Sequence, residues 1–233
     1  GKLATIGAPM SPRRSEFTEV ASVHDRLDAT LMSSVLRAQD YRRMQWKNAV
    51  GWTSEVLRVP DHEDWDWRLS IADIEADAPF STFPGVERWL VLLSGNGLRL
   101  KFDDGRTHTL LPPHGEAQFP GEQPLTGELL EGPSRDFNLM WKRACVTAQT
   151  WRRPLVGPMV LFVDRSETWV IYLLAGQAEF AEECGLPRMQ QGDTAILQGS
   201  DQRTRYALEG GGEVLMIRLQ QLGDSRPKQQ IQS

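Results

Sequence analysis

The stretch RWLVLLSGNGLRLKFDDGRTHTLL, residues 88–111, decides the fold class of this chain. An apolar run reaches the Gly95–Gly97 turn, an alternating run continues to an Asp-Asp-Gly turn at residues 103–105, and a third short run closes the stretch. Apolar runs of this length between Gly- and Asp-rich turns are typical of strands joined by hairpins. The stretch therefore predicts three consecutive β-strands.

Other segments have the same character. WDWRLSIADI, residues 65–74, places Trp67 and Leu69 on one side of a strand and Arg68 and Ser70 on the other. This alternation has the period of a β-strand with one apolar face. ETWVIYLLAGQAEF, residues 167–180, again indicates strand, turn and strand, and no segment after residue 40 keeps helical periodicity over three turns. The chain is predicted to be all-β.

A weak internal repeat refines this prediction. RWLVLLSG (88–95) resembles WVIYLLAG (169–176), HGEAQF (114–119) resembles QGDTAI (191–196), and NLMW (138–141) resembles VLMI (214–217), at offsets of 81, 77 and 76 residues. Near-constant offsets in the same order indicate duplicated β units. We therefore expect a bicupin, in which two double-stranded β-helix (jelly-roll) barrels follow one another.

The repeat also suggests domain bounds. An N-terminal cupin barrel with a ligand pocket is expected over residues 32–145 and a C-terminal barrel over 146–225. Residues 1–31 are expected to be an extension outside the core, and residues 226–233 a polar tail.

Composition excludes some classes of function. The 233 residues carry a net charge of −5, which gives no general attraction to nucleic acid. No apolar run approaches the roughly 18–20 residues that a membrane span needs. Two cysteines, Cys145 and Cys184, are too few for a disulfide framework, so a reduced, cytoplasmic compartment is expected.

The sequence offers few of the residues and motifs that a metal site or a catalytic nucleophile needs. Cupin metal sites need imidazoles and a carboxylate that converge on one open position. The chain has four histidines, and Pro112 and Pro113 separate His108 from His114. No G-x-S-x-G nucleophile motif occurs. No metal or other cofactor is expected.

Two stretches carry a family resemblance. WKNAVGWTSEV (46–56) and the segment 65–100 contain the motifs W-K-N…G…T-x-E, R-x-S-x-A-x-I and F-S-x-F-P-G-x-x-R. They resemble the HutD/Ves family over residues 35–219. The resemblance implies a bicupin without metal-binding histidines that acts in histidine utilisation as a non-catalytic modulator, binding urocanate or a related small acid. Members commonly have a glycine run where this chain has Ala49 and Val50.

The residues of the motifs suit a small planar acid. Lys47 offers a charge for a carboxylate, Asn48 offers hydrogen bonds for a ring nitrogen, and the adjacent Trp46 offers a flat face. Thr53 and Glu55 alternate on one side of a predicted strand. These side chains are therefore candidates for ligand binding.

The remaining candidates each have a structural alternative. Arg68 and Ser70 line a pocket if the polar face of their strand points inward, and form a solvated surface if it points outward. Phe83 could be a stacking wall or a plug at a barrel end, and Arg88 a second cation. The full set of predicted ligand-binding residues is Lys47, Asn48, Thr53, Glu55, Arg68, Ser70, Ser81, Phe83 and Arg88.

Three functions are compatible with these residues. The first is a regulatory protein that binds a small carboxylate, such as urocanate or formate, without turnover. The second is a metal-independent enzyme that acts on an imidazole or formimino acid, with Glu55 as its base. The third is an interaction protein whose barrel is filled by its own side chains. A homodimer is a further expectation, with the contact in the C-terminal barrel.

Overall fold

The computed structural model describes residues 31–223, and this part of the chain is all-β, which confirms the predicted class. Two short 3-10 helices, Ala38–Asp40 and Glu182–Cys184, accompany the strands. Within the same range, no helix is long and apolar enough to cross a membrane. The predicted extension, apart from residue 31, and the predicted tail lie outside the described residues. The strands are β1 (Ser34–Leu36), β2 (Arg42–Gln45), β3 (Gly51–Val59), β4 (Trp67–Ile74), β5 (Ala78–Pro79), β6 (Val86–Ser94), β7 (Leu98–Phe102), β8 (Thr107–Leu110), β9 (Glu116–Pro120), β10 (Leu125–Leu129), β11 (Ser134–Lys142), β12 (Val146–Val163), β13 (Glu167–Phe180), β14 (Met189–Gln190), β15 (Thr194–Gln198) and β16 (Thr204–Gln221).

The strands form three antiparallel sheets. The central sheet has the order β2-β3-β4-β11-β6-β9, and the outer sheet has the order β5-β10-β7-β8. The C-terminal sheet has the order β1-β15-β13-β16-β12, with β14 paired to β13. One face of the central sheet packs against the outer sheet, and its other face packs against the C-terminal sheet.

Strand β4 shows how the alternating sequence assigns these two faces. Trp67, Leu69 and Ile71 are buried in the cluster shared with the C-terminal sheet. Since successive side chains of a strand point to opposite faces, Arg68 and Ser70 lie on the side of the outer sheet. The polar face of this strand therefore points into the space between two sheets.

The internal repeat has a structural counterpart. The neighbours β9-β6-β11 in the central sheet occur in the same order as β15-β13-β16 in the C-terminal sheet. Strand β6 has a bulge that leaves Leu93 unpaired, and β13 has one that leaves Leu174 unpaired, 81 residues later. A bulge at the same repeat position is a specific backbone feature, so it supports duplication more strongly than the sequence similarity of the segments does.

All three sheets are open within residues 31–223, since each order ends in strands without a further neighbour. Strands of the C-terminal sheet nevertheless share an apolar cluster of their own. Gly176 and Gly212 have φ angles of 85° and 136° in the middle of long strands. A Cβ atom on Gly176 would lie 1.9 Å from the carbonyl oxygen of Gly211, and one on Gly212 would lie 1.9 Å from that of Ala175. Two separate jelly-roll barrels therefore stay a prediction.

The first described strand belongs to the C-terminal sheet. Strand β1 pairs with β15. The Ala38 amide donates to Asp193 Oδ1 at 3.0 Å, and the Tyr41 hydroxyl donates to the Gly192 carbonyl at 2.7 Å. Residues 34–41 thus lead from the C-terminal sheet to the central sheet, and the predicted domain bounds stay a prediction.

Candidate ligand-binding cavity

A cavity of about 540 Å³ lies between the central and outer sheets. Its floor is formed by the outer-sheet side of β4, β6 and β11. The turn between β2 and β3 and the segment 79–83 surround its mouth. The lining residues are Met44, Gln45, Trp46, Lys47, Asn48, Thr53, Arg68, Ser70, Ala72, Pro79, Phe80, Ser81, Phe83, Arg88, Asp136, Asn138 and Met140.

Eight of the nine predicted ligand-binding residues line this cavity, and Glu55 does not. Lys47, Asn48, Thr53, Arg68, Ser70, Ser81, Phe83 and Arg88 come from five separate stretches of the chain. Their convergence is a consequence of the fold, because the turn and the loop both close over the same face of the central sheet. Whether they bind a ligand stays a prediction.

The floor is organised as rungs across three paired strands. Residues that pair across neighbouring antiparallel strands share a face, so each rung presents a row of side chains to the cavity. The rungs are Arg68–Met140–Arg88, Ser70–Asn138–Leu90 and Ala72–Asp136–Leu92. Cationic side chains therefore stand at one end of the floor, an amide in the middle and a carboxyl group at the other end.

Arg88 is buried, and no described carboxylate forms an ion pair with it. Its side chain is 5% exposed, its Nη1 donates one long hydrogen bond of 3.4 Å to the Ser81 carbonyl, and its Nε has no partner. The guanidinium carbon lies 5.1 Å from the centre of the Phe80 ring and 5.4 Å from that of Phe119. Burial lowers the pKa of Arg88 to about 10, although the charge of Asp136 acts in the opposite sense. Arg88 is therefore cationic at neutral pH.

Glu55 has a structural role. Its Oε2 accepts from Arg68 Nε at 2.7 Å, its Oε1 accepts from Arg42 Nη2 at 3.0 Å, and Arg58 Nε lies 3.8 Å from the same oxygen. These three cations hold the carboxylate at the side of the cavity. Glu55 therefore stands beside the cavity and does not line it, and its predicted ligand contact and its alternative role as a base stay predictions.

The turn between β2 and β3 places Lys47 and Asn48 at the exposed rim. The Ala49 amide donates to the Trp46 carbonyl at 2.9 Å, and Ala49 itself has a φ of 59°, in the left-handed region that favours glycine. Asn48 Oδ1 accepts from the Val50 amide at 3.3 Å. The departure from a glycine run thus costs some backbone strain and keeps the turn.

Trp46 and Thr53 join the rim to the cavity wall. The indole Nε1 of Trp46 donates to Thr53 Oγ1 at 2.8 Å. On the opposite wall Phe83 packs against Trp65, with ring centres 6.2 Å apart and planes at 53°. Phe83 therefore packs against a buried tryptophan and also lines the cavity, and its predicted roles as a stacking wall or as a plug at a barrel end stay predictions.

Sequence reasoning missed the residues that β11 contributes. Asp136 is 1% exposed, and burial raises the pKa of its carboxyl group to about 7, although the charge of Arg88 acts in the opposite sense. The Oδ1 atoms of Asp136 and Asn138 are buried and have no hydrogen-bond partner. A signal was present, because Asp136, Asn138 and Met140 alternate with apolar Phe137 and Leu139 as Arg68 and Ser70 do on β4.

A larger cavity of about 730 Å³ lies beside the C-terminal sheet, yet its charges are satisfied. Glu167 forms an ion pair with Arg218, and Asp164 Oδ1 accepts from Arg203 Nε at 2.8 Å. Because paired charges create no demand for a ligand, size alone does not make this cavity the better candidate.

The described histidines do not form a metal centre. His62 accepts from the Asp64 amide, His108 contacts the Glu116 carbonyl, and His114 Nδ1 lies 3.0 Å from the Leu92 carbonyl. In the part of the chain that the structure describes, no group of three or more His, Cys, Asp and Glu side chains is placed to hold a metal ion.

The fold and the cavity together define an all-β, cupin-like protein with a polar pocket of small-molecule size. The chain belongs to the HutD family, whose model matches residues 38–216. Over 109 residues it is 47% identical to an uncharacterized 21.2 kDa protein from the hutC 3′ region of Pseudomonas putida, a match that covers 46% of this chain and 57% of that protein. It is also 34% identical over 132 residues to Protein Ves from Cronobacter sakazakii, which covers 56% of this chain and 70% of that one.

Solved structures agree with this assignment. HutD from Pseudomonas fluorescens SBW25, determined in a formate condition, matches with a TM-score of 0.72 and 30% identity over 82% of this chain and 100% of that one. YhhW from Escherichia coli matches with a TM-score of 0.60 at 8% identity, covering 84% of this chain and 100% of that one. At that identity the likeness shows the fold alone.

Proposed function

We propose that this protein binds a small carboxylate in the cavity between the central and outer sheets, without turning it over. The observation that carries the proposal is Arg88, a buried guanidinium that lines the cavity and forms no ion pair with any of the described residues 31–223. An unpaired buried charge is costly, and a guanidinium matches a carboxylate with two parallel hydrogen bonds. A ligand carboxylate would supply the missing counter-ion.

Two further cations support the same ligand class. Arg68 stands on the same rung as Arg88, and only its Nε is used by Glu55. Lys47 lies at the exposed mouth, where an ammonium group can attract an anion before it enters. Phe80 and Phe83 give the cavity apolar walls that suit a flat ring.

The biological setting in this proposal is histidine utilisation. It rests on the HutD family and on the Pseudomonas putida relative from the hutC 3′ region. The ligand would be urocanate or a related small acid of that pathway, with formate as the smallest member of the class. We propose a regulatory role in the cytoplasm, where the two free thiols, Cys145 and Cys184, would stay reduced.

The architecture in this proposal is a bicupin with unequal halves. The repeated strand order and the repeated bulge support two related units over residues 32–145 and 146–225. The N-terminal unit would hold the ligand, and the C-terminal unit would be structural.

Thermal unfolding with added ligand tests the binding function. Urocanate, histidine, formiminoglutamate, glutamate and formate are each added at millimolar concentration, while urocanate absorbance is followed in the same samples. A ligand at 100 times its Kd stabilises the native state by about 2.7 kcal/mol, which raises Tm by roughly 5–10 °C. We expect such a rise with urocanate and an unchanged absorbance.

The Arg88→Met variant locates the site. It should lose the ligand-induced rise in Tm while remaining folded, because it removes a buried charge that has no partner. Arg99→Met is the matched control, since Arg99 is an exposed outer-sheet residue 3.5 Å from Glu128, and it should keep the full rise. A fall in urocanate absorbance would instead support the alternative function, a metal-independent enzyme. If no compound raises the Tm of the wild-type protein, the carboxylate proposal is contradicted.

A homodimer remains part of the proposal. Strand β12 is an end strand, and its outward side chains Val156, Val160 and Phe162 are 84%, 44% and 52% exposed. Exposed apolar side chains on an end strand promote association with another surface. We therefore propose that a second copy of the chain covers these side chains of β12. Light scattering should give twice the chain mass for the protein and a single mass for the Phe162→Lys variant; a monomer throughout would contradict this part.

A further inference from the structure

The end of the cavity floor opposite Arg88 carries two unused hydrogen-bond acceptors. Asp136 Oδ1 and Asn138 Oδ1 are each shielded from solvent by the protein and meet no donor among the described residues. Buried polar atoms without a partner are rare in folded proteins, and each one calls for an explanation. Both atoms belong to cavity-lining side chains on neighbouring rungs of β11, so one explanation can serve for both.

The spacing separates these acceptors from the cationic end. Strand residues rise about 3.3 Å each, so the Asn138 rung lies roughly 7 Å from the Arg88 rung and the Asp136 rung another 7 Å beyond. No ion pair joins Asp136 to Arg88 within the described residues, although the charge of each affects the pKa of the other. The floor is therefore dipolar along its length, with the charges held apart.

We infer that the cavity selects a ligand that has two different ends, a carboxylate at the Arg88 rung and an N–H hydrogen-bond donor at the Asn138 and Asp136 rungs. This inference rests on the carboxylate site proposed above and narrows its ligand class. A donor group would satisfy the oxygen that it reaches, whereas a ring that can only accept hydrogen bonds would leave both oxygens unpaired. A site built around buried polar groups rejects analogues that lack the matching group more strongly than an apolar site does.

Two probes of the same size and charge test the inference. Urocanate carries a carboxylate and an imidazole N–H, whereas 3-(furan-3-yl)acrylate has the same acrylate chain and a five-membered ring whose oxygen only accepts. We measure the Kd of both by calorimetry at pH 7.5. The wild-type protein should bind urocanate at least tenfold more tightly than the furan compound.

Variants on β11 assign the preference to residues. Asn138→Leu and Asp136→Leu remove one acceptor each, and the variant that removes the acceptor used by the ring should lower the urocanate preference to less than threefold, while the furan compound keeps or improves its Kd. Retained binding of the furan compound shows that each variant is folded. Ser134→Ala is the matched control, because Ser134 is also buried on β11 with an unpaired Oγ but does not line the cavity, and it should keep the full preference.

The other outcomes overturn the inference in distinguishable ways. Equal Kd values for the two probes would contradict the donor end and leave the carboxylate site intact. A preference that persists in both Leu variants would contradict the assignment to Asn138 and Asp136. Failure of both probes to bind would overturn the carboxylate proposal together with the inference.

Discussion

The two repeated units carry different side chains on equivalent strands: polar groups face a cavity in the N-terminal unit, and apolar groups fill the space in the C-terminal unit. In the N-terminal unit Arg88 and Asp136 face a cavity, whereas the strand registers place Trp169 and Val214 at the equivalent positions of the C-terminal unit. Trp169 stacks on Trp151 with ring centres 5.7 Å apart, and Val214 is fully buried in an apolar cluster. One unit has kept a filled core, and the other has exchanged part of its core for polar groups. The comparison teaches that the cavity lies where the N-terminal unit has polar side chains at positions that are apolar in the C-terminal unit.

The largest effect is expected from moving a polar group into the filled unit. Val214→Asn would bury an amide where only apolar side chains are in contact, and should lower the free energy of unfolding by about 4 kcal/mol. On the cavity side of β11, Asn138→Val removes an acceptor that has no partner among the described residues, and it should cost less than about 1 kcal/mol. Urea unfolding measures both, and equal losses in the two variants would show that the units are not different in this respect.

The acid in the cavity should make stability depend on pH. Burial raises the pKa of Asp136 from 3.8 to about 7, so the folded state binds a proton more tightly than the unfolded state does. The stability that this proton contributes is complete below pH 4 and is lost as pH rises to about 7, by roughly 2–4 kcal/mol. The groups whose charges act on Asp136 are Arg88 on β6 and Asp73 on β4.

Asp136→Asn should remove this contribution. The difference in unfolding free energy between the variant and the wild type should grow in favour of the variant from pH 4 to pH 7 and stay constant above it. Urea unfolding at four pH values measures the trend. A constant difference across the whole range would contradict a buried, titrating Asp136.

A smaller effect is expected from Glu55 and Glu167, two buried carboxylates that pair with arginines. Glu55 pairs with Arg68 next to the cavity, and Glu167 pairs with Arg218 in the C-terminal sheet. Glu55→Gln and Glu167→Gln should each lower the free energy of unfolding by about 2 kcal/mol, because each leaves a cation without its partner. Only Glu55→Gln should also tighten carboxylate binding, since it releases Arg68 toward the cavity. Calorimetry with urocanate distinguishes them, and a tighter Kd in Glu167→Gln would contradict the division between the units.

The smallest effect concerns the rim of the cavity. Ala49→Gly removes the strain of a non-glycine residue in the left-handed region, but it also gives the unfolded chain more conformational freedom. The net change should raise the free energy of unfolding by about 0.5 kcal/mol. The C-terminal unit offers Gly185, at φ 63° after a 3-10 helix, where the reverse change Gly185→Ala should destabilise by a similar amount. Thermal unfolding should therefore show a higher Tm for Ala49→Gly and a lower Tm for Gly185→Ala. A lower Tm in both variants would mean that the backbone φ angle does not determine the change in stability.

Much of the fold could be predicted because it depends on local patterns. The alternation in β4, the hairpin turns and the three repeated segments are each visible within a few residues, and they gave the all-β class and the related units. The open sheets and the pairing of β1 with β15 could not be predicted, because they depend on contacts between residues 160 positions apart. Nothing near Ser34 in the sequence specifies that partner.

The cavity was predictable where a motif marked it. Arg68, Ser70 and Arg88 occur in motifs that carried the family resemblance, and the fold brings them together. Glu55 belonged to a motif as well, but it pairs with Arg42, Arg58 and Arg68 and does not line the cavity. No local pattern predicts a three-cation contact. Asp136 was overlooked because its burial depends on β4 and β6 on either side, both distant in sequence.

The most direct test of the central claim is a crystal structure with urocanate bound. We predict that the ligand lies between the central and outer sheets, with its carboxylate oxygens at hydrogen-bond distance from the Arg88 guanidinium. A ligand bound elsewhere, or one whose carboxylate meets Lys47 at the rim and leaves Arg88 unpaired, would contradict the account.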